Sequence, residues 1–280
     1  RVSLPGGCAI GERPIDLHIK GFQAMGAKIT LEQGYVKGKV ARLKGIQFYF
    51  DTVSVTGTAN LIMAAVLAEG ETTLENAAKE PEVVFLADIL NLAGAKISGH
   101  GTDIIAIQGT TSLKPIECTI FPDRIETGTF MIAAAITQGD VTIENCIPKH
   151  VEPITLKLQE AQVGVEISKN KIRVKSKGPI SCVNAKTHPY PGFPTDIQAQ
   201  FMALMTLAHG QSIIVETVFE NRFMHVSELK RMGADISLDG RTAIINGVKS
   251  LSGAPLMDTD LRASASFVLA AMAAKGTSLI

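Results

Sequence analysis

The sequence predicts an α/β fold made of four copies of one β-α-β-α-β-β unit of about 69 residues. Three observations carry this expectation. Glycines inside a shared short motif recur at 26, 94, 164 and 233, at intervals of 68, 70 and 69 residues. A second series, Gly70, Gly139, Gly210 and Gly276, closes the apolar runs 61–68, 130–137, 201–208 and 267–274. Around both series the apolar period changes from helical to alternating in the same order each time.

Each unit is taken in chain order. It opens on an amphipathic helix, clearest over 83–92 and 226–232, with charges between apolar residues at helical spacing. Its closing glycine is assigned to the left-handed position that ends many helices, as in Met25-Gly26-Ala27 and Met232-Gly233-Ala234. Val163-Gly164-Val165 aligns with these by type. A hairpin follows, around Asp239-Gly240 or Lys169-Asn170. The second helix is rich in Ala and Met and apolar nearly all round, which predicts burial. Its glycine leads into a short strand such as 72–74 or 141–143. Buried helices inside, with sheets and amphipathic helices outside, is the expected arrangement. Periodicity alone also admits a solenoid, although 69 residues exceeds the common solenoid repeats.

The chain has 280 residues, enough for two domains, and 46% of them are hydrophobic, enough for a sizeable core. Lys+Arg and Asp+Glu balance at 27 each, so no net field attracts nucleic acid or an anionic membrane. The lack of Trp and the presence of only three Tyr argue against a base-stacking platform. No apolar run is long enough to span a bilayer, and the first residues carry no signal-peptide pattern. The absence of an initiator Met leads us to expect a chain cut from a longer one. Cys8, Cys118, Cys146 and Cys182 are too scattered for a zinc knuckle or a disulfide framework, so no metal and no cofactor is expected. A reducing cytoplasm fits.

Two stretches carry chemistry. The first is Gly6-Gly7-Cys8-Ala9-Ile10-Gly11, followed by Arg13-Pro14-Ile15-Asp16-Leu17-His18. An ordinary free thiol is mostly protonated at neutral pH, and a nearby guanidinium lowers its pKa. Cys8 is therefore either a proton donor or nucleophile, or an incidental small hydrophobe. The second set lies where the buried helices begin: Asp51 to Thr58, Pro122 to Thr129, Phe193 to Gln200, and Asp258 to Ser264. Each has an Asp at or beside the expected N-cap, and Asp123…Glu126 and Thr195…Gln198 fit capping boxes. Capping is the ordinary role for any one of these Asp residues, but Thr195 is itself a good cap, so the helix need not depend on Asp196 for its start. Helix starts with Arg13, Arg124, Arg222 and Arg262 nearby suit an anionic substrate.

These blocks resemble the UDP-N-acetylglucosamine 1-carboxyvinyltransferases. The likeness runs through the Cys8 loop, 122–129, 193–201, Phe219-Glu220-Asn221-Arg222-Phe223-Met224-His225, and Thr259-Asp260-Leu261-Arg262-Ala263-Ser264. The resemblance implies the inverted α/β barrel of enolpyruvate transferases: two domains, six units, and helix N-termini facing an interdomain cleft. Residues 1–121 would then be part of the first domain, with the reactive-cysteine loop, and 122–280 most of the second. The implied reaction moves the enolpyruvyl group of phosphoenolpyruvate to the 3'-hydroxyl of UDP-N-acetylglucosamine, releasing phosphate. This is the first committed step of peptidoglycan synthesis, and hence serves cell shape and division. By resemblance Cys8 is the proton donor and the target of fosfomycin, and Asp196 contacts the sugar hydroxyl as base. Arg13, Pro14, Ile15, Asp16, Leu17, Thr52, Val53, Ser54, Val55, Asp196 and Val218 would bind the UDP-sugar. Asp123, Arg124, Glu126, Arg222, Asp260 and Arg262 would line or brace the cleft.

The family's N-terminal Lys-Asn pair, an upstream arginine and a C-terminal arginine have no counterpart in this sequence, and Thr52 stands where some relatives have lysine. From this we expect the 280 residues alone to be inactive. Two other readings stay open: the related shikimate-pathway enolpyruvyl transferase, which lacks the cysteine loop, and an inactive UDP-sugar-binding fragment. The sequence does not specify an oligomeric state.

Overall fold

The computed structural model describes residues 2–3, 15–257 and 260–280. Cys8, Arg13 and Pro14 lie outside them. The chain forms two compact units that divide between Phe121 and Pro122.

The first unit holds β1 (Val2–Ser3), α1 (Asp16–Ala24), β2 (Lys28–Glu32), β3 (Tyr35–Lys39) and β4 (Gln47–Tyr49). It continues with α2 (Val55–Ala65), β5 (Glu71–Glu75), α3 (Pro81–Leu92), β6 (Lys96–Ser98) and β7 (Ile104–Gln108). Its sheets run β1-β3-β2 and β4-β5-β7-β6. The second unit holds α4 (Arg124–Ile136), β8 (Asp140–Glu144), α5 (Glu152–Glu160), β9 (Gly164–Ser168), β10 (Lys171–Lys175) and β11 (Ala185–Lys186). Then come α6 (Gln198–Met205), β12 (Gln211–Val215), α7 (His225–Arg231), β13 (Asp235–Asp239), β14 (Thr242–Asn246) and α8 (Leu261–Ala273). Its sheets run β8-β10-β9 and β11-β12-β14-β13.

The repeat is visible in the topology. In both four-stranded sheets the first pair is parallel and the others are antiparallel. Among the described residues the three-stranded sheets lack the parallel edge strand. Single parallel bridges Lys44–Glu69 and Ser181–His209 start the parallel pairings, and Ser252–Lys275 begins another of the same kind. The four sheets are separate and open, rather than closed into one ring of strands. The predicted helices and hairpins all form.

One expectation needs correction. The left-handed residue after α5 is Gln162 and not Gly164, and the one after α4 is Gln138 and not Gly139. Gly164 and Gly139 fall beside or inside the strands that follow. Matching by residue type therefore shifted the third copy: Gln162, not Gly164, is the counterpart of Gly94, because β9 starts two residues after Gln162 as β6 does after Gly94. A non-glycine residue tolerates this conformation at some cost in energy.

Two glycines outside both series mark the repeat through close packing. A Cβ on Gly109 would stand 1.9 Å from the Ala68 carbonyl oxygen, and one on Gly247 would stand 1.6 Å from that of Ala208.

Of the four helices expected to be buried, α6 alone is enclosed throughout, while Met63 of α2, Phe130 of α4, and Val268 and Met272 of α8 are exposed. Every residue of α6 is buried. α4, α6 and α8 pack on one another in the second unit, with Phe201, Phe267, Met131 and Ile132 fully enclosed. In the first unit Phe50, Leu61, Ile62, Leu74, Ile105 and Ile107 fill the core. No helix of the described residues is long and apolar enough to cross a membrane.

Candidate functional site

In the second unit the starts of α4, α6 and α8 come together. Asp123 caps α4, accepting from the backbone N–H groups of Ile125 at 2.7 Å and Glu126 at 3.1 Å. Asp260 caps α8 through the Arg262 N–H. The start of α6 differs. A single 3-10 turn, Thr195–Ile197, precedes it, and neither that turn nor α6 has a side-chain cap. The Thr195…Gln198 capping box does not form. Gln198 is fully buried, and its amide has no hydrogen-bond partner among the described residues. Thr195 is engaged elsewhere, because its hydroxyl meets Glu216 and Arg222.

Asp196 stands free of capping, about a third exposed, between two guanidinium groups. Arg222 Nη2 lies 2.7 Å from Asp196 Oδ1, and Arg262 Nη2 lies 3.4 Å from Asp196 Oδ2. Arg222 is itself buried, 5% exposed, with its guanidinium over the Phe219 ring. A buried cation needs a nearby anion, since burial without one is costly. Gln200 ties the Asp196 carbonyl to Thr129 of α4. The structure thus gathers Asp196, Arg222, Arg262 and Asp260 at one end of the α4–α6–α8 trio. Val218 joins them through the buried carboxylate of Glu216, which accepts from its backbone N–H. Asp123 and Glu126 mark the start of α4, and Arg124 reaches over the Tyr190 ring.

The remaining candidates belong to the first unit. Ile15 precedes α1, and Asp16 and Leu17 form its first turn. Thr52 and Val53 lead into α2, and Ser54 caps it, accepting from Gly57 N–H at 3.1 Å. Val55 is the first residue of that helix. Asp51 was expected at the cap, but it pairs instead with Lys20 at 3.3 Å. His18 of α1 bonds Asn60 of α2, and burial lowers its pKa, with Asp16 opposing. Among the described residues no cluster of His, Cys, Asp or Glu could hold a metal ion.

Sequence reasoning missed Glu216, Thr195 as a relay, and His225. A signal for Glu216 was present. Ser212, Ile214 and Glu216 alternate onto the buried face of β12 and its continuation, so the carboxylate points inward. His225 opens α7, 2% exposed, and its Nε2 has no partner among the described residues. Burial pushes its pKa down to about 4, with Asp260 opposing and Arg222 reinforcing the shift.

A pH dependence follows from His225. In the unfolded chain it takes up a proton near pH 6.5, whereas in the folded chain it does so only near pH 4. Between those values the unfolded state binds more protons, so stability falls as pH is lowered. The full effect is up to about 3 kcal/mol. Denaturant unfolding from pH 7.5 to pH 4 is expected to show this slope, flattened in His225→Phe. Identical slopes in the two proteins would rule it out.

The family model described as EPSP synthase (3-phosphoshikimate 1-carboxyvinyltransferase) matches residues 1–280. The UDP-N-acetylglucosamine 1-carboxyvinyltransferase of Desulfosudis oleivorans is 60% identical over 280 residues, covering all of this chain and 67% of the relative. That of Geobacter metallireducens is 59% identical with the same coverage. The chain spans about two thirds of the length of these curated relatives. The enolpyruvyl transferase NikO from Streptomyces tendae superposes with a TM-score of 0.86 at 23% identity, over 94% of this chain and 66% of that one, a likeness of fold. The chain belongs to the UDP-N-acetylglucosamine 1-carboxyvinyltransferases, within the EPSP synthase family of enolpyruvyl transferases.

Proposed function

We propose that a complete enzyme containing this chain transfers the enolpyruvyl group of phosphoenolpyruvate to the 3'-hydroxyl of UDP-N-acetylglucosamine, as the first committed step of peptidoglycan synthesis in the cytoplasm. The observation that carries the chemistry is the Asp196 carboxylate held between Arg222 and Arg262 at the start of α6. The choice of acceptor rests on the named activity of relatives up to 60% identical.

In this reading C3 of phosphoenolpyruvate gains a proton from the Cys8 thiol, and C2 becomes oxocarbenium-like. The sugar hydroxyl attacks C2 and gives its proton to Asp196. The C2–O bond to phosphate then breaks and the phosphate leaves with the proton held by Asp196; C3 returns a proton to the Cys8 thiolate, and the vinyl ether and inorganic phosphate remain. Arg222 and Arg262 supply positive charge for the anionic donor, and helix starts add N–H groups and dipoles. Arg13, Pro14, Ile15, Asp16, Leu17, the 52–55 stretch and Val218 contact the UDP-sugar. Asp123 and Ser54 keep their helix starts in place. Arg124, Glu126 and Asp260 brace the site.

The test is phosphate release by the complete enzyme with phosphoenolpyruvate and either acceptor. Release with UDP-N-acetylglucosamine and none with shikimate 3-phosphate is expected. The reverse result would make it the shikimate-pathway enzyme. Calorimetric binding of the UDP-sugar without turnover would make it a binding protein only.

A further inference from the structure

Glu216 is 1% exposed, and its carboxylate accepts four hydrogen bonds among the described residues. Oε1 accepts from the Thr187 hydroxyl at 2.9 Å and from the backbone N–H groups of Val218 at 2.8 Å and Phe219 at 3.2 Å. Oε2 accepts from the Thr195 hydroxyl at 2.8 Å. The Thr195 oxygen in turn accepts from Arg222 Nη1 at 2.9 Å, and the other nitrogen of that guanidinium holds Asp196. The polarity of this line follows from chemistry. An ionised carboxylate only accepts and a guanidinium only donates, so the Thr195 hydroxyl must give its proton to Glu216 and its lone pair to Arg222.

We propose that Glu216 is a positioning residue, orienting Arg222 on Asp196 through Thr195 while holding the backbone at Val218. The inference rests on the reading of Asp196 and Arg222 given above. Glu216 sits where β12 ends, and it joins three segments: Thr187 just after β11, the turn carrying Thr195 and Asp196, and the loop leading to Arg222. A fully satisfied buried network of this kind fixes one arrangement of its members. Its anion also answers the buried guanidinium of Arg222, one hydroxyl away. A staple serving the fold alone would need the bonds to Thr187 and the loop backbone, but not a directed contact to the guanidinium that holds Asp196.

The test uses the complete enzyme and four variants. Thr195→Val keeps the shape but cuts the relay, Thr195→Ser keeps it, Glu216→Gln removes the anion, and Asp196→Ala is the control. Thr195→Val and Glu216→Gln are each expected to lower kcat about tenfold or more, the scale of a hydrogen bond to a charged group. In Thr195→Val, KM for either substrate should move less than roughly threefold, and Thr195→Ser should recover most of the rate. The double variant should lose no more than the worse single one, because both cut one line. Unchanged kcat in Thr195→Val, or losses that multiply in the double variant, would overturn the proposal. If Glu216→Gln does not fold, the comparison of Thr195→Val with Thr195→Ser decides. Normal turnover by Asp196→Ala would instead remove the underlying reading, whatever the Thr195 variants do.

Discussion

Asp196→Ala in the complete enzyme is expected to lower kcat by at least about a hundredfold, the scale of losing a general base. The sequence alone suggested a residue of little structural weight beside a redundant cap. The structure changes that part of the expectation. Asp196 is the direct counter-ion of Arg222, which is nearly inaccessible to solvent. Truncation leaves that cation without its closest carboxylate, so a stability loss of about 1–3 kcal/mol is expected, reduced by the partial exposure of Asp196. Asp196→Asn separates the two effects. Its amide oxygen still accepts from Arg222 but no longer takes the sugar proton, so the rate should fall as far while stability stays closer to the parent. Steady-state kinetics and denaturant unfolding on the same preparations measure both. Either variant turning over normally would move the base elsewhere.

Cys8 should be the thiol labelled by fosfomycin, and Cys8→Ser should lose most activity because a hydroxyl is far less acidic than a thiol. Cys8→Asp should keep activity and escape the reagent, since a carboxylic acid still donates a proton. The other cysteines set the contrast. Cys146 is buried and burial raises its pKa, which suppresses thiolate. Cys182 is half-buried and Cys118 is exposed, so Cys118 is the main competitor. Peptide mapping after labelling decides the point. Label on Cys118 in place of Cys8 would remove Cys8 from its role.

The repeat was legible because it is written in apolar period, and burial enforces that period. α2, α4, α6 and α8 all fall on the runs that the second glycine series closes. The error in the third copy has a physical source. A glycine motif reports backbone freedom, and glutamine at 138 and 162 adopts the same left-handed conformation without leaving that mark. Gly109 and Gly247 were silent for the opposite reason, since the demand for them comes from a carbonyl oxygen far away in sequence. At the site, the sequence singled out Asp196, Arg222 and Arg262 separately, and the fold sets them side by side. The capping box was a local inference, and it failed because the Thr195 hydroxyl is claimed by Glu216 and Arg222, more than 20 residues away. Long-range claims on a short polar side chain leave no local pattern.

The meeting of the α4, α6 and α8 starts has a thermodynamic consequence. Each helix brings the positive end of its dipole to the same place, and two guanidinium groups add to it. Like potentials held together in a folded protein oppose its compactness, and Asp123, Asp196 and Asp260 are the carboxylates that answer them at the helix starts. The proposed function puts an anionic substrate there, and on that proposal occupancy and folding are linked by mass action. A ligand at a hundred times its Kd adds about 2.7 kcal/mol to the unfolding free energy. On the proposed function, the melting temperature of the complete enzyme is expected to rise with the concentration of its anionic substrate.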